Sequence, residues 1–190
     1  DYAGGTYDRL FLSHGIFSTS SAPGNFCVTS YGLNTGEITT GNLSMGMSIS
    51  GQSQRLLNPT DPTAINVNEG IISTGDNATG MFTQGTNATA LNTGGVTIGD
   101  LDLSWFTPSL NFPDFEAAQL GFGVASWGDA FSQVVNYGQI TTGNGTVGAA
   151  ARMYDPGFGY AAQLLQNADG VIITGDNSTG ALVAGNYSST

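Results

Sequence analysis

The sequence predicts an all-β fold, a right-handed parallel β-solenoid with loop insertions and one or two short helices, on three observations. One short phrase occurs four times: Gly36-Glu-Ile-Thr-Thr-Gly41, Gly70-Ile-Ile-Ser-Thr-Gly75, Gly138-Gln-Ile-Thr-Thr-Gly143 and Gly170-Val-Ile-Ile-Thr-Gly175. Two copies run on almost identically, into Asp76-Asn-Ala-Thr-Gly80 and Asp176-Asn-Ser-Thr-Gly180. With weaker echoes at Gly15 and Gly95, the phrases begin at steps of 21, 34, 25, 43 and 32 residues. A bare coil of a β-solenoid takes about two dozen residues, and the longer steps fit a coil plus an insertion. The alternative is a β-sandwich or jelly roll whose similar strands only mimic coils.

Each phrase is a β-branched strand closed by glycines. Strand alternation turns Ile38, Ile72, Ile140 and Ile172 inward and the flanking threonines outward. The glycines suit corners that need positive φ. Asp76, Asn77, Asp176 and Asn177 suit the same corners, because their side chains bond nearby backbone and tolerate the left-handed region. Before the first phrase, Leu10–Leu12, Phe17–Thr19 and Phe26–Tyr31 read as short strands, with a turn at Ala22-Pro23-Gly24. Residues 52–66 read as a loop, since Pro59 and Pro62 block regular structure. Residues 100–135 hold both tryptophans, Trp105 and Trp127, and five phenylalanines, and read as an aromatic-rich insertion in one domain spanning 1–190. Asp114–Leu120 after Pro113, and Tyr160–Gln166, are the helix candidates.

Composition narrows the function. Only 9% of the residues are charged, and the net charge is −11 with three arginines and no lysine. Clustered cations are needed to displace counterions from nucleic acid or to hold an anionic membrane surface, so both partners are excluded. No stretch reaches the roughly 20 apolar residues of a membrane helix, so direct membrane insertion is not expected. The chain begins at Asp1 without Met, as a processed mature protein does. A neutral Gly/Ser/Thr/Asn surface suits an extracellular or cell-surface location. The lone Cys27 excludes an intramolecular disulfide and reads as a small buried hydrophobe in Phe26-Cys27-Val28. Six Asn-x-Ser/Thr sequons, at Asn42, Asn77, Asn87, Asn144, Asn177 and Asn186, are glycosylation candidates.

The run Asn68-Glu-Gly-Ile-Ile-Ser-Thr-Gly-Asp-Asn-Ala-Thr-Gly80, and its partner from Asp169 to Gly180, resembles the degenerate repeats of bacterial autotransporter and adhesin passenger regions. The resemblance covers about a third of the chain. It implies a right-handed parallel β-helix displayed outside the cell, for adhesion or scaffolding. The irregular spacing and the aromatic middle depart from that pattern.

No catalytic site emerges, and no cofactor is expected. His14 is the single histidine, and no Gly-x-Ser-x-Gly elbow accompanies it. One histidine without a Cys/His cluster is no zinc site. Asp76 and Asp176 are calcium candidates at equivalent corners, to be weighed against Asx turns without metal. Asp100 with Asp102 on one strand face, or Asp114 with Glu116, could serve as acid and base on a glycosidic bond beside a stacking Trp105. The exposed aromatics expected to make an interaction surface are Trp105, Phe106, Phe112 and Trp127.

The expected function is that of an extracellular, non-enzymatic structural or adhesive protein that self-assembles through strand edges into a surface fibre or filament. Its expected partner is another copy of itself, with glycans or host and surface proteins as further partners. The alternative is a carbohydrate-active enzyme or a glycan-binding module of a secreted protein.

Overall fold

The computed structural model describes residues 13–22, 29–53, 64–102, 104, 120–153, 161–185 and 187–189. Among these the chain is all-β without a helix, and every strand pairing is parallel.

The glycine-bounded phrases form one five-stranded sheet. Its strands are β3 (Glu37–Thr39), β6 (Ile71–Ser73), β8 (Gly95–Ile98), β10 (Gln139–Thr142) and β13 (Val171–Thr174), paired in that order. Ile38, Ile72, Val96, Ile140 and Ile172 fall in register, 34, 24, 44 and 32 residues apart. All but Ile172, which is half-buried, lie in the core. Each fully buried member contributes about 1.5–3 kcal/mol. The inward isoleucines expected from alternation are thus present; of the threonines, Thr39 is exposed and Thr141 half-buried, but Thr74 and Thr142, two residues past the inward isoleucine, are buried, a correction that period-two alternation itself explains. The register places Gly94, not Gly95, opposite Gly70 and Gly138.

The second sheet has ten strands. One half runs β1 (Ser13–Ala22), β4 (Ser44–Ser53), β7 (Thr79–Asn92), β9 (Phe122–Asn136), β11 (Val147–Met153) and β14 (Thr179–Ala184). The other half runs β2 (Ser30–Asn34), β5 (Ala64–Asn68), the C-terminal parts of β7 and β9, then β12 (Ala161–Gln166) and β15 (Tyr187–Ser189). β7 and β9 each cross both halves, and their register shifts between Gly85 and Asn87. The bare rung is the 24 residues from Asn68 to Asn92. Extra length enters between β4 and β5, between β8 and β9, and between β11 and β12.

Several expectations are corrected. Tyr160–Gln166 reads as a helix in sequence, but Ala161–Gln166 is a strand whose Ala162 and Leu164 enter the core and whose backbone pairs with β9. Rung pairing outweighs the helix preference of an Ala/Gln/Leu run. The Gly15 echo belongs to β1 and lies beside Gly46 of β4, not in the column of phrases. The aromatic insertion ends earlier than expected, because Phe122, Trp127 and Phe131 are part of β9. The loop over 52–66 is shorter, with Ser53 and Ala64 already in strands. Leu10–Leu12, Cys27 and the helix candidate over 114–119 lie outside the described residues.

The rungs are held level by a device the phrase itself does not contain. Asn34, Asn68, Asn92 and Asn136 are buried and form one ladder. Each Nδ2 donates to the next Oδ1, at 2.8, 2.9 and 2.8 Å, and Asn136 Nδ2 donates on to Gln166 Oε1 at 3.1 Å. The second hydrogen of each amide goes to a nearby carbonyl, those of Ile71, Gly95, Gly94 and Gly138, at 3.2–3.3 Å. A buried amide costs little only when it is satisfied in this way.

The bounding glycines have a different reason from the one expected. Positive φ falls instead on Leu43, Asn77, Gly145 and Asn177, at 52°, 53°, 69° and 56°, which occupy the same corner in different rungs. Asn and Gly tolerate this region, as expected for Asn77 and Asn177, whereas Leu43 is strained there. Glycine is kept where backbones approach. A Cβ on Gly70, Gly94 or Gly138 would overlap the carbonyl oxygen of Gly36, Gly70 or Gly94 respectively, and one on Gly75, Gly99 or Gly143 would strike the Oδ1 of Asn42, Asp76 or Asp100. A second column lies in the ten-stranded sheet, where a Cβ on Gly46, Gly80, Gly123 or Gly148 would sit 2.5–2.6 Å from the carbonyl oxygen of the glycine in the next rung and would also strike the inward side chain of the facing sheet.

Replacing Asn92 by Ala should orphan Asn68 Nδ2 and Asn136 Oδ1. Thermal or urea unfolding should show a loss of about 1–3 kcal/mol for each orphaned group. Asn92→Ala that unfolds like the parent would show that the ladder contributes nothing.

Candidate functional site

Three regions could carry function: the Asx corner, the aromatic cluster on the outer face of the ten-stranded sheet, and the strand edges at the two ends.

The Asx corner follows the second glycine of each phrase. Asn42, Asp76, Asp100, Asn144 and Asp176 form a second, exposed ladder. The Oδ1 of each accepts the backbone N–H of the next, at 2.9, 3.0, 2.7 and 2.7 Å. Asp76 and Asp176, the calcium candidates, are therefore two rungs of this ladder. Asp76 bonds the backbone of Asp100, 24 residues away in the next rung, and not the nearby backbone that an Asx turn would use. Among the described residues no group of three or more His, Cys, Asp or Glu side chains could hold a metal ion.

Asp100 and Asp102 do not share a strand face, because β8 ends at Ile98. The Asp100 carboxylate accepts from Asn144 N at 2.7 Å and Asn144 Nδ2 at 3.4 Å. Asp102 donates its N–H to Asn77 Oδ1 at 2.8 Å and accepts the Ser104 N–H at 2.8 Å. Hydrogen bonds from the Ser104 side chain and backbone hold the Asp102 carboxyl below its ordinary value of 3.8. Both carboxylates thus stitch turns. Asp114 and Glu116 lie outside the described residues.

The aromatic cluster corrects another expectation. Of Trp105, Phe106, Phe112 and Trp127, only Trp127 is among the described residues, and it is 2% exposed, not a surface contact. It packs edge-on against Phe82 at 5.0 Å and Phe122 at 6.3 Å between ring centroids. The Arg152 guanidinium lies 5.5 Å over its ring. Met45, Leu120, Ala125 and Ala150 complete this second core. The sequence places Trp127 in an aromatic stretch without revealing which side of the sheet is covered.

A stripe that the sequence reading missed runs along the other half of this sheet. Leu33, Val67, Leu91, Val135 and Leu165 fall in register. Each precedes a ladder amide, and alternation turns each away from the core. The stripe is exposed at its ends, Leu33 and Leu165, and more covered between them. The signal was legible as an aliphatic residue directly before Asn34, Asn68, Asn92, Asn136 and Gln166.

The sequons divide by burial. Asn42, Asn144 and Asn177 are exposed and Asn77 half-buried, while Asn87 is 3% exposed at the β7 kink, where a glycan has no room. Asn186 lies outside the described residues. His14 sits in β1 opposite Met45. No helix among the described residues is long and apolar enough to cross a membrane.

The last rung is the least buried. Val171, Ile173 and Leu182 are exposed, Ile172 and Val183 half-buried. β13 and β14 stand at the ends of their sheets, as β3 and β1 do at the other end. Among the described residues no further strand pairs with them.

Two outcomes follow. Trp127→Ala should cost about 3–5 kcal/mol of stability, read from denaturant unfolding, as a deep core truncation does; a loss under 1 kcal/mol would contradict the packing described. An NMR titration should put the Asp102 midpoint below 3.8, and Ser104→Ala should raise it toward that value. Because the folded-state pKa is lowered, the stabilisation is present above the unfolded value and is lost as pH falls through the folded one.

No family model, curated protein or solved structure matches the chain.

Proposed function

We propose that the chain is a right-handed parallel β-solenoid serving as an extracellular, non-enzymatic structural or adhesive protein that self-associates through its strand edges. The observation that carries this reading is the all-parallel pairing of strands, in register but for one shift between Gly85 and Asn87, with the end strands of each sheet paired on one side only among the described residues. Parallel crossovers within one sheet are right-handed in about 98% of cases, which supports the handedness. Natural sheets usually blunt an exposed edge with lysine, proline or a charge, yet β14, Thr-Gly-Ala-Leu-Val-Ala, carries none of these.

The neutral faces favour a scaffold over an enzyme. The best carboxylate candidates among the described residues are engaged in turns. The exposed ends of the aliphatic stripe, Leu33 and Leu165, give an adhesive surface an apolar component.

Negative-stain electron microscopy of the purified chain over a range of concentrations tests the reading. Regular fibres that lengthen with concentration are the expected result. Dispersed compact particles at every concentration would sink it.

A further inference from the structure

Within the chain, the contact between neighbouring rungs of the ten-stranded sheet has a fixed form. Gly15, Gly46, Gly80, Gly123, Gly148 and Gly180 occupy one column, a place where two backbones come too close for a side chain. A Cβ on any of the first five would lie 2.5–2.6 Å from the carbonyl oxygen of the glycine in the following rung. Gly180 stands at the end of this column, and a Cβ there would meet nothing within 4 Å. Its φ lies outside the left-handed region, so neither clash nor backbone strain explains a glycine at this position. A glycine is required there if another rung follows in the same geometry.

We propose that this rung is supplied by a second copy of the chain, stacked head-to-tail with its β1 pairing parallel to β14 and its β2 parallel to β15. The proposal rests on the self-association reading above and names its contact. Three points select this occupant. The contact continues the rung-to-rung interface already present in every interior pair. Extending the strand registers puts Ala181 beside Ile16 of the second copy, Leu182 beside Phe17, and Ser188 beside Ser30. Leu182, 39% exposed, then gains a neighbour on the outer face. Finally, the chain carries a net charge of −11, yet across the edge strands β1, β2, β3, β13, β14 and β15 the one carboxylate is Glu37 of β3, so two acidic copies meet little repulsion along these strands. Such a contact uses different surfaces on the two copies, so it repeats and builds a filament.

Two substitutions block the two ends separately. Gly180→Val fills space that is empty in the single chain, and in the stack it would drive a side chain into the Gly15 carbonyl of the next copy. At the other end, alternate residues of a parallel strand address opposite neighbours. The Asn34 carbonyl is taken by Glu69 N and Gly70 N on the β5 side, so the Tyr31 N–H faces the open edge. Tyr31→Pro removes that donor without touching the β2–β5 pairing. Sedimentation velocity over a range of concentrations, with circular dichroism as a check on folding, is the measurement. The parent chain should associate with rising concentration. Each variant alone should stay monomeric to at least about tenfold higher concentration, and an equimolar mixture should give a dimer and nothing larger.

Gly180→Val associating like the parent would overturn the stacking geometry and leave the broader self-association reading standing. A parent chain that stays monomeric at every concentration would overturn both. If Tyr31→Pro does not fold, Gly180→Val decides the matter alone, with Gly180→Ala as its milder companion.

Discussion

A sheet of parallel strands must hold many rungs at one height, because a slip of one residue would turn each inward side chain to solvent. The buried amides of Asn34, Asn68, Asn92 and Asn136 provide that constraint here. Each can satisfy both its donor and its acceptor only if the neighbouring amide lies at the same level. A slipped register would strand several buried polar groups at once, at about 1–3 kcal/mol each. The ladder favours one alignment more sharply than the aliphatic column can, since Ile, Val and Leu tolerate modest shifts against one another.

The rest of the fold depends on that alignment. Once the amides are level, the inward residues of the five-stranded sheet stack as Ile38, Ile72, Val96, Ile140 and Ile172. The glycine column of the ten-stranded sheet then comes close enough to that stack to exclude any side chain of its own. On the exposed side, Asn42, Asp76, Asp100, Asn144 and Asp176 repeat the same logic with a backbone N–H as donor. Insertions are accommodated because they leave between strands and do not alter the register on either side. The spacing of the asparagines therefore varies between 24 and 44 residues while their contact distance stays within 2.8–2.9 Å.

This arrangement also explains why so few charges are needed inside the sheets. The ladder amides satisfy one another along the stack, though among the described residues Asn66 Oδ1, Thr74 Oγ1 and Thr83 Oγ1 are buried without a partner, whereas a charge would be repeated beside its like in the next rung. Among the described residues the sheets hold only two carboxylates, Glu37 of β3 and Asp129 of β9, while others sit at corners, where they bond backbone N–H groups and remain hydrated, as Asp76 and Asp100 do. The same logic makes each end of the stack resemble every interior contact.

Much of this was legible in the sequence. The glycine-bounded phrases located all five strands of one sheet, with an offset of one residue at Gly94 and Gly95. Asn77 and Asn177 were readable as left-handed corners, because few residues other than glycine tolerate that conformation. Candidate surfaces were read less well. Trp127 is exposed or buried according to which side of β9 is covered, and local sequence does not encode that. Asp100 and Asp102 alternate as strand neighbours would, yet the strand stops two residues before Asp100. Ala161–Gln166 has a helical composition, and a neighbouring strand decides otherwise. The sequence by itself determined the repeat, the inward residues and the corners, because these depend on local backbone preference and period-two alternation. Only the tertiary structure decided the asparagine ladder, the glycine column and which faces are covered, because each arises between residues about 24 or more positions apart, brought together by stacking.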